Sequence, residues 1–193
     1  MRSLKELAFY LVSNTSSPIS FSKLKDLLKL GSITTVKSYI DYLENSWLFF
    51  VINKYTYSVK EQQIAAKKVY SIDTGIAESV GFSFSENTGK FMENTVFLSL
   101  KRKYQDIHYY KTNQGFEVDF FLPKENILIQ VAQNFDQELV REREIRALIG
   151  ASTEQKKPLK LIIITGNTKE IIEREEYSIE AIPLYEWLLK MAV

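Results

Sequence analysis

Residues 115–133 read Gly-Phe-Glu-Val-Asp-Phe-Phe-Leu-Pro-Lys-Glu-Asn-Ile-Leu-Ile-Gln-Val-Ala-Gln, and this stretch decides the fold. It holds two short runs rich in aromatic and branched residues, 117–122 and 127–133, the composition of strands that pack at least one face. In the first run Glu117 and Asp119 alternate with apolar residues, so both carboxylates point to one side; in the second, Gln130 and Ala132 share a face.

Outward from these strands, the spacing predicts a helix over 91–103 and a strand over 107–111 on one side. On the other it predicts a helix over 137–149, a strand over 160–165, and a closing strand and short helix near 182–189. A helix, an antiparallel meander, a crossover helix and a further strand make a mixed α/β sheet flanked by helices. A short strand over 68–72 and a mobile loop over 81–89, where glycine and serine gather, precede it.

The front of the chain has a different pattern. Ser3 with Glu6 reads as a capping box, and Leu4, Leu7, Ala8 and Leu11 recur at helical spacing until 14–18 breaks it. Ser22 is placed to cap a second helix carrying Leu24, Leu27 and Leu28, which Gly31 ends. Ser32 is placed to cap a third, with Ile33, Val36, Ile40 and Leu43 facing inward. Two helices joined by a tight turn are the helix-turn-helix signature, and the aromatic run 47–59, broken at Asn53-Lys54, suits a two-stranded wing. The expected organisation is α/β (α+β): an N-terminal winged helix-turn-helix over 1–62 and a mixed-sheet domain over 63–193, with the boundary in the polar stretch 60–68.

Composition narrows the classes. The chain has no cysteine, which excludes disulfides, zinc–thiolate sites and thiol nucleophiles and suits a reducing, cytoplasmic setting. No apolar run is long enough to span a membrane, and the charged start does not read as a signal peptide. The net charge of +1 hides an asymmetry: residues 1–60 hold eight Lys or Arg against four Asp or Glu, and residues 61–193 hold seventeen against twenty. Phosphate attraction therefore favours the front half, where Thr34, Thr35, Lys37 and Ser38 face outward from the third helix as candidate DNA contacts, with Asp41 opposing them. Docking of this surface onto a protein domain is the competing use.

Glu93 is the first candidate for chemistry, because Val96, Phe97 and Leu100 lie three, four and seven positions on and set the carboxylate on an apolar face. A charge there is costly unless something binds it; the ordinary alternative is a first-turn glutamate favoured by the helix dipole. Glu117 and Asp119 can hold Mg²⁺ through oxygen, or form a solvated strand face. His108, the one histidine, reads as a strand-face residue; Lys101-Arg102-Lys103 as a dipole-favoured helix end; and Arg141, Arg143 and Arg146 among Glu138, Glu142 and Glu144 as a salt-bridged exposed face.

The helical acid, the strand aspartate and the residue-x-residue pair on the next strand resemble the pattern of PD-(D/E)XK nucleases. In that pattern acids bind one or two metal ions and a lysine helps to orient the attacking water. The resemblance gives Glu93 the helical acid and Asp119 the strand aspartate, both candidate metal ligands, with Gln130 at the second carboxylate position and Ala132 at the lysine position. Gln130 brings a carbonyl oxygen without charge, and Ala132 brings nothing to a water or phosphate. Single electrostatic contacts of this kind carry about 2.7–4 kcal/mol each, so the resemblance implies a nuclease-like fold without efficient cleavage. Lys111 on the neighbouring predicted strand keeps residual activity open.

Taken in order, 68–75 (Lys-Val-Tyr-Ser-Ile-Asp-Thr-Gly), 89–97, 117–120, 129–131 and 143–148 are similar to the C-terminal domain of prokaryotic AAA-type ATP-binding proteins. This likeness covers nearly the whole chain and implies an ATPase partner, in cis or in trans. The chain itself contains no GxxxxGK[ST], hence no ATP site. The leading expectation is a DNA-associated effector or regulatory module with a degenerate site. The alternatives are an active deoxyribonuclease using Mg²⁺ or Mn²⁺ and a protein–protein interaction module, with homo-oligomerisation through the aromatics of 47–57.

Overall fold

The computed structural model describes residues 2–80 and 88–192. The chain forms two compact units, Met1–Lys54 with Ser58–Asn94, and Tyr55–Tyr57 with Thr95–Val193. The expected boundary at 62 falls inside the first unit, because the strand that follows it pairs with two strands from the front of the chain.

The front unit runs α1 (Arg2–Ser13), β1 (Ser17–Ile19), α2 (Phe21–Leu27), α3 (Ile33–Asn45), β2 (Phe49–Lys54), α4 (Val59–Ile64), β3 (Lys67–Ser71) and α5 (Thr74–Val80). It ends in the opening turns of α6 (Thr88–Lys103). Its three strands pair in the order β1-β3-β2, all antiparallel, with Ser17 opposite Val69 and Val51 opposite Val69 from the other side. Leu7, Leu11, Leu24, Val36, Ile40, Phe49 and Val69 form its buried core. Each fully buried leucine contributes about 1.5–3 kcal/mol from water exclusion.

Several local expectations need correction. Ser3 lies inside α1, and Glu6 pairs with Arg2 at 2.9 Å rather than closing a capping box. Ser20, not Ser22, precedes α2, which ends before Gly31, with Lys29 taking the left-handed turn (φ 52°). Ser32 does cap α3, accepting the Thr35 N–H at 3.1 Å, but Ile33 faces outward while Val36, Ile40 and Leu43 go in. The aromatic run after α3 does not fold back on itself: β2 stops at Lys54 and finds its partner in β3.

The end of α3 is unusual. Trp47 N–H donates to the Glu44 carbonyl and Leu48 N–H to the Leu43 carbonyl, a closure that usually employs glycine, yet Trp47 occupies the left-handed position (φ 58°). At the other side of the unit, the fully buried Asn94 of α6 binds the main chain of Ser71 twice. Its Oδ1 accepts the Ser71 N–H at 2.8 Å and its Nδ2 donates to the Ser71 carbonyl at 3.0 Å, while Thr15 Oγ1 donates to the same Oδ1 at 2.8 Å.

The rear unit is the expected mixed α/β arrangement. It contains the remainder of α6, β4 (His108–Lys111), β5 (Glu117–Leu122), β6 (Ile127–Ala132), α7 (Glu138–Thr153), β7 (Lys160–Thr165), β8 (Glu170–Arg174), β9 (Tyr177–Pro183) and α8 (Leu184–Ala192). Strand order is β4-β5-β6-β7-β9-β8: an antiparallel meander, then β6, β7 and β9 parallel, and β8 antiparallel at the end. Val118, Leu128, Ile145, Leu148, Ile163 and Ile179 anchor its core. β1, α4, α5 and β8 were not expected from the sequence. The loop expected at 81–89 lies outside the described residues through 87; positions 88 and 89 already belong to α6.

Candidate functional site

β5 and β6 pair in register from Leu122 opposite Ile127 to Phe120 opposite Ile129. One residue further, side chains take over the bonding. The Asp119 N–H donates to Gln130 Oε1 at 3.2 Å, and the Val131 N–H donates to Asp119 Oδ2 at 3.0 Å. Both side chains are buried, as alternation along two packed strands requires.

The other end of Gln130 reaches α7. Its Nε2 donates to Glu144 Oε2 at 2.6 Å, a charge-assisted bond, and Arg143 Nε donates to Glu144 Oε1 at 2.9 Å. Glu144 is 3% exposed although the sequence placed it on a solvated, salt-bridged face. Burial pushes its carboxyl above the ordinary carboxylate range; the Arg143 guanidinium opposes this, and the nearby Asp119 carboxylate adds to it. Two other members of the expected charged face pair across to β8 rather than along the helix: Arg141 forms a two-pronged pair with Glu170, and Arg174 donates to Glu142 at 2.7 Å.

Gln130 therefore spans from the main-chain N–H of Asp119 to the Glu144 carboxylate, and its amide donates to Glu144 where a carboxylate would repel. Ala132, two residues along β6 and buried, adds no polar group. Among the described residues, no three His, Asp or Glu side chains gather as a metal-donor set. Asp119 and Gln130 lie side by side, and Glu144 is the residue sequence reasoning missed. A signal existed, since Glu144 falls on the stripe of Val140, Ala147, Leu148 and Ala151.

Glu93 belongs to the front unit, where its Oε1 accepts from Lys68 Nζ at 3.0 Å and from Tyr70 hydroxyl at 2.8 Å. Lys68 is 2% exposed, so this is a buried ion pair completed by a phenol, and it compensates the charge that the apolar face of α6 left unexplained. The Lys68 and Tyr70 side chains share one face of β3, two residues apart.

On α3, Thr34 is exposed, and its carbonyl accepts the Ser38 hydroxyl at 3.1 Å. Thr35 is tied through its backbone N–H and hydroxyl to Ser32. Lys37 is exposed, and its charge, second to burial itself, lowers the pKa of Lys67 on β3. Of the four candidate contacts, Lys37 is the one whose charged group faces solvent.

The fold and site define a mixed α/β protein whose rear unit buries Asp119, Gln130 and Glu144, with Gln130 joining the Asp119 main chain to the Glu144 carboxylate. The domain of unknown function DUF4143 matches residues 88–187, just over half of the 193 residues, and the chain belongs to this family. The domain of unknown function DUF8612 matches residues 1–87. An uncharacterized protein of Methanocaldococcus jannaschii is 32% identical over 98% of this chain and 45% of its own length. An uncharacterized protein of Haemophilus influenzae is 27% identical over 97% of this chain and 46% of its own. The chain spans about half the length of these curated relatives. No solved structure matches it.

Proposed function

We propose that the chain is an effector or regulatory module that works with an AAA-type ATPase, that its front unit contacts DNA, and that its nuclease-like site no longer cleaves. The observation that carries this reading is the state of β6: Gln130 is committed to Asp119 and Glu144, and Ala132 stands where a nuclease would hold its lysine. Without that lysine and the second carboxylate, little is left to orient a water or to stabilise charge on a phosphodiester.

The front unit supports the DNA half of the reading. The reading is supported by the unit's order of helix, strand, two helices and strand, followed by α4 and a third strand that pairs between the first two, which leaves β2 and β3 in the place of a wing interrupted by a short helix. In such a unit α3 enters the major groove, and Lys37 would meet a phosphate. The ATPase is supported by family resemblance and by relatives about twice as long as this chain, which leaves length in them for a P-loop domain.

Anisotropy titration of labelled duplex and branched DNA at low salt tests the first half. Binding is expected, with Lys37→Ala weakening it across sequences and reducing the salt slope by about one. Binding no tighter than that of a neutral control protein overturns it. Incubation with plasmid DNA and Mg²⁺ or Mn²⁺ tests the second half: no cleavage is expected, and cleavage lost in Asp119→Ala would make the chain an active deoxyribonuclease instead.

A further inference from the structure

β8 ends the strand order of the rear unit and pairs with β9 on one side. An edge strand turns the N–H and C=O groups of alternate residues outward, and proteins usually blunt such an edge with charge. Here the side chains divide cleanly. Glu170, Ile172 and Arg174 form the row beside α7, where Glu170 pairs with Arg141, Arg174 donates to Glu142, and Ile172 is buried. Lys169, Ile171 and Glu173 alternate with them on the opposite face, and Ile171, in the middle of that row, is 65% exposed.

The exposed row reads Lys-x-Ile-x-Glu. Turned antiparallel and laid against itself about Ile171, it is self-complementary: Ile171 meets Ile171 of the second copy, and each Lys169 meets a Glu173. Both charged side chains already lie in place on the surface, Lys169 bonded to Glu186 at 2.7 Å and Glu173 accepting from Ser178 at 2.9 Å. Cross-strand pairs of this kind, two ionic and one branched apolar, are the units that stabilise antiparallel strands. A different protein would have to reproduce that charge order by chance, whereas a second copy carries it by construction.

We propose that β8 seats a second copy of this chain, antiparallel and centred on Ile171, so that the two rear sheets continue across a two-fold axis.

Sedimentation equilibrium of the full chain over a concentration series tests this. The wild type is expected to pass from monomer to dimer mass. Lys169→Glu alone sets Glu against Glu at both ends, and Glu173→Lys alone sets Lys against Lys, so each is expected to raise the dissociation constant about tenfold. Mixed together, the two variants are fully complementary and are expected to recover the dimer as a one-to-one heterodimer, which no folding defect could mimic. Ile171→Lys is expected to remain monomeric with an unchanged circular dichroism spectrum. A wild type that stays monomeric throughout, a dimer indifferent to all three substitutions, or two variants that fail to associate when mixed would each overturn the proposal.

Discussion

Replacing Gln130 with glutamate tests the reading of the rear site most directly. The substitution removes the Nε2 donor held 2.6 Å from Glu144 and sets a second carboxylate against it, beside the main-chain N–H of Asp119. A charge-assisted bond of this kind is worth about 1.5–3 kcal/mol. Two carboxylates recoiling to ~4 Å repel by about 4 kcal/mol at an effective dielectric of about 20, until one of them takes a proton. Protonating the introduced carboxyl at pH 8, nearly four units above its unfolded value, costs about 5 kcal/mol, which caps the expected loss for Gln130→Glu at about 5 kcal/mol. The introduced carboxyl has a folded-state pKa above its unfolded value of about 4.3, so the stability that its proton supplies is present below that value and disappears as pH rises through the folded pKa. Near pH 4.5 the protonated group donates to Glu144 as the amide does, and the loss should shrink to about 1 kcal/mol. Urea unfolding followed through the buried Trp187, whose Nε1 donates to Ser99 at 2.9 Å within the same unit, gives the measurement. A loss below about 1 kcal/mol at pH 8, or one equal at both pH values, would refute the claim that Glu144 needs an uncharged donor at position 130.

Two further outcomes follow from the same geometry. Because burial raises the Glu144 carboxyl, the native state binds its proton more tightly than the unfolded chain, and wild-type stability from this group falls as pH climbs from the ordinary carboxylate range through the raised value. Glu144→Gln keeps an acceptor for Gln130 and should flatten the dependence of the urea midpoint on pH above the ordinary carboxylate range, whereas an unchanged slope would remove Glu144 from the account. In the front unit, Asn94→Ala deletes three buried hydrogen bonds and should cost about 3 kcal/mol, read from thermal or urea unfolding by circular dichroism; Asn94→Asp, unable to donate to the Ser71 carbonyl, should recover only part.

Much of this fold was legible because its strongest elements are local patterns. β5 and β7 have the predicted limits, and Val36, Ile40 and Leu43 turn inward as their spacing requires. What escaped was non-local or short. β1 has three residues, one of them proline, and exists because β3 offers it an edge; β8, Glu-Ile-Ile-Glu-Arg, is short and largely charged and has its partner in β9. The wing was misread because aromatic residues continue past Lys54, while the true partner of β2 lies beyond a helix. At the site, Asp119 and Gln130 were visible by alternation. Glu144 was hidden among neighbouring arginines and glutamates, where local charge balance argues for solvent and only the apolar stripe argues against it. Glu93 was singled out for its apolar surroundings, but its cation, Lys68, lies twenty-five residues earlier on β3, a distance no helical spacing reveals.

The grip of Asn94 on the backbone of Ser71 makes tolerance to mutation lopsided. The amide recognises a peptide group, which every residue carries, so the grip itself makes no demand on side chain 71, whose hydroxyl donates instead to the Asp73 carbonyl. Position 94 has no such latitude, since the grip needs a donor and an acceptor at one short reach. In a library of variants, 71 should therefore accept alanine, cysteine or threonine far more readily than 94 accepts anything at all.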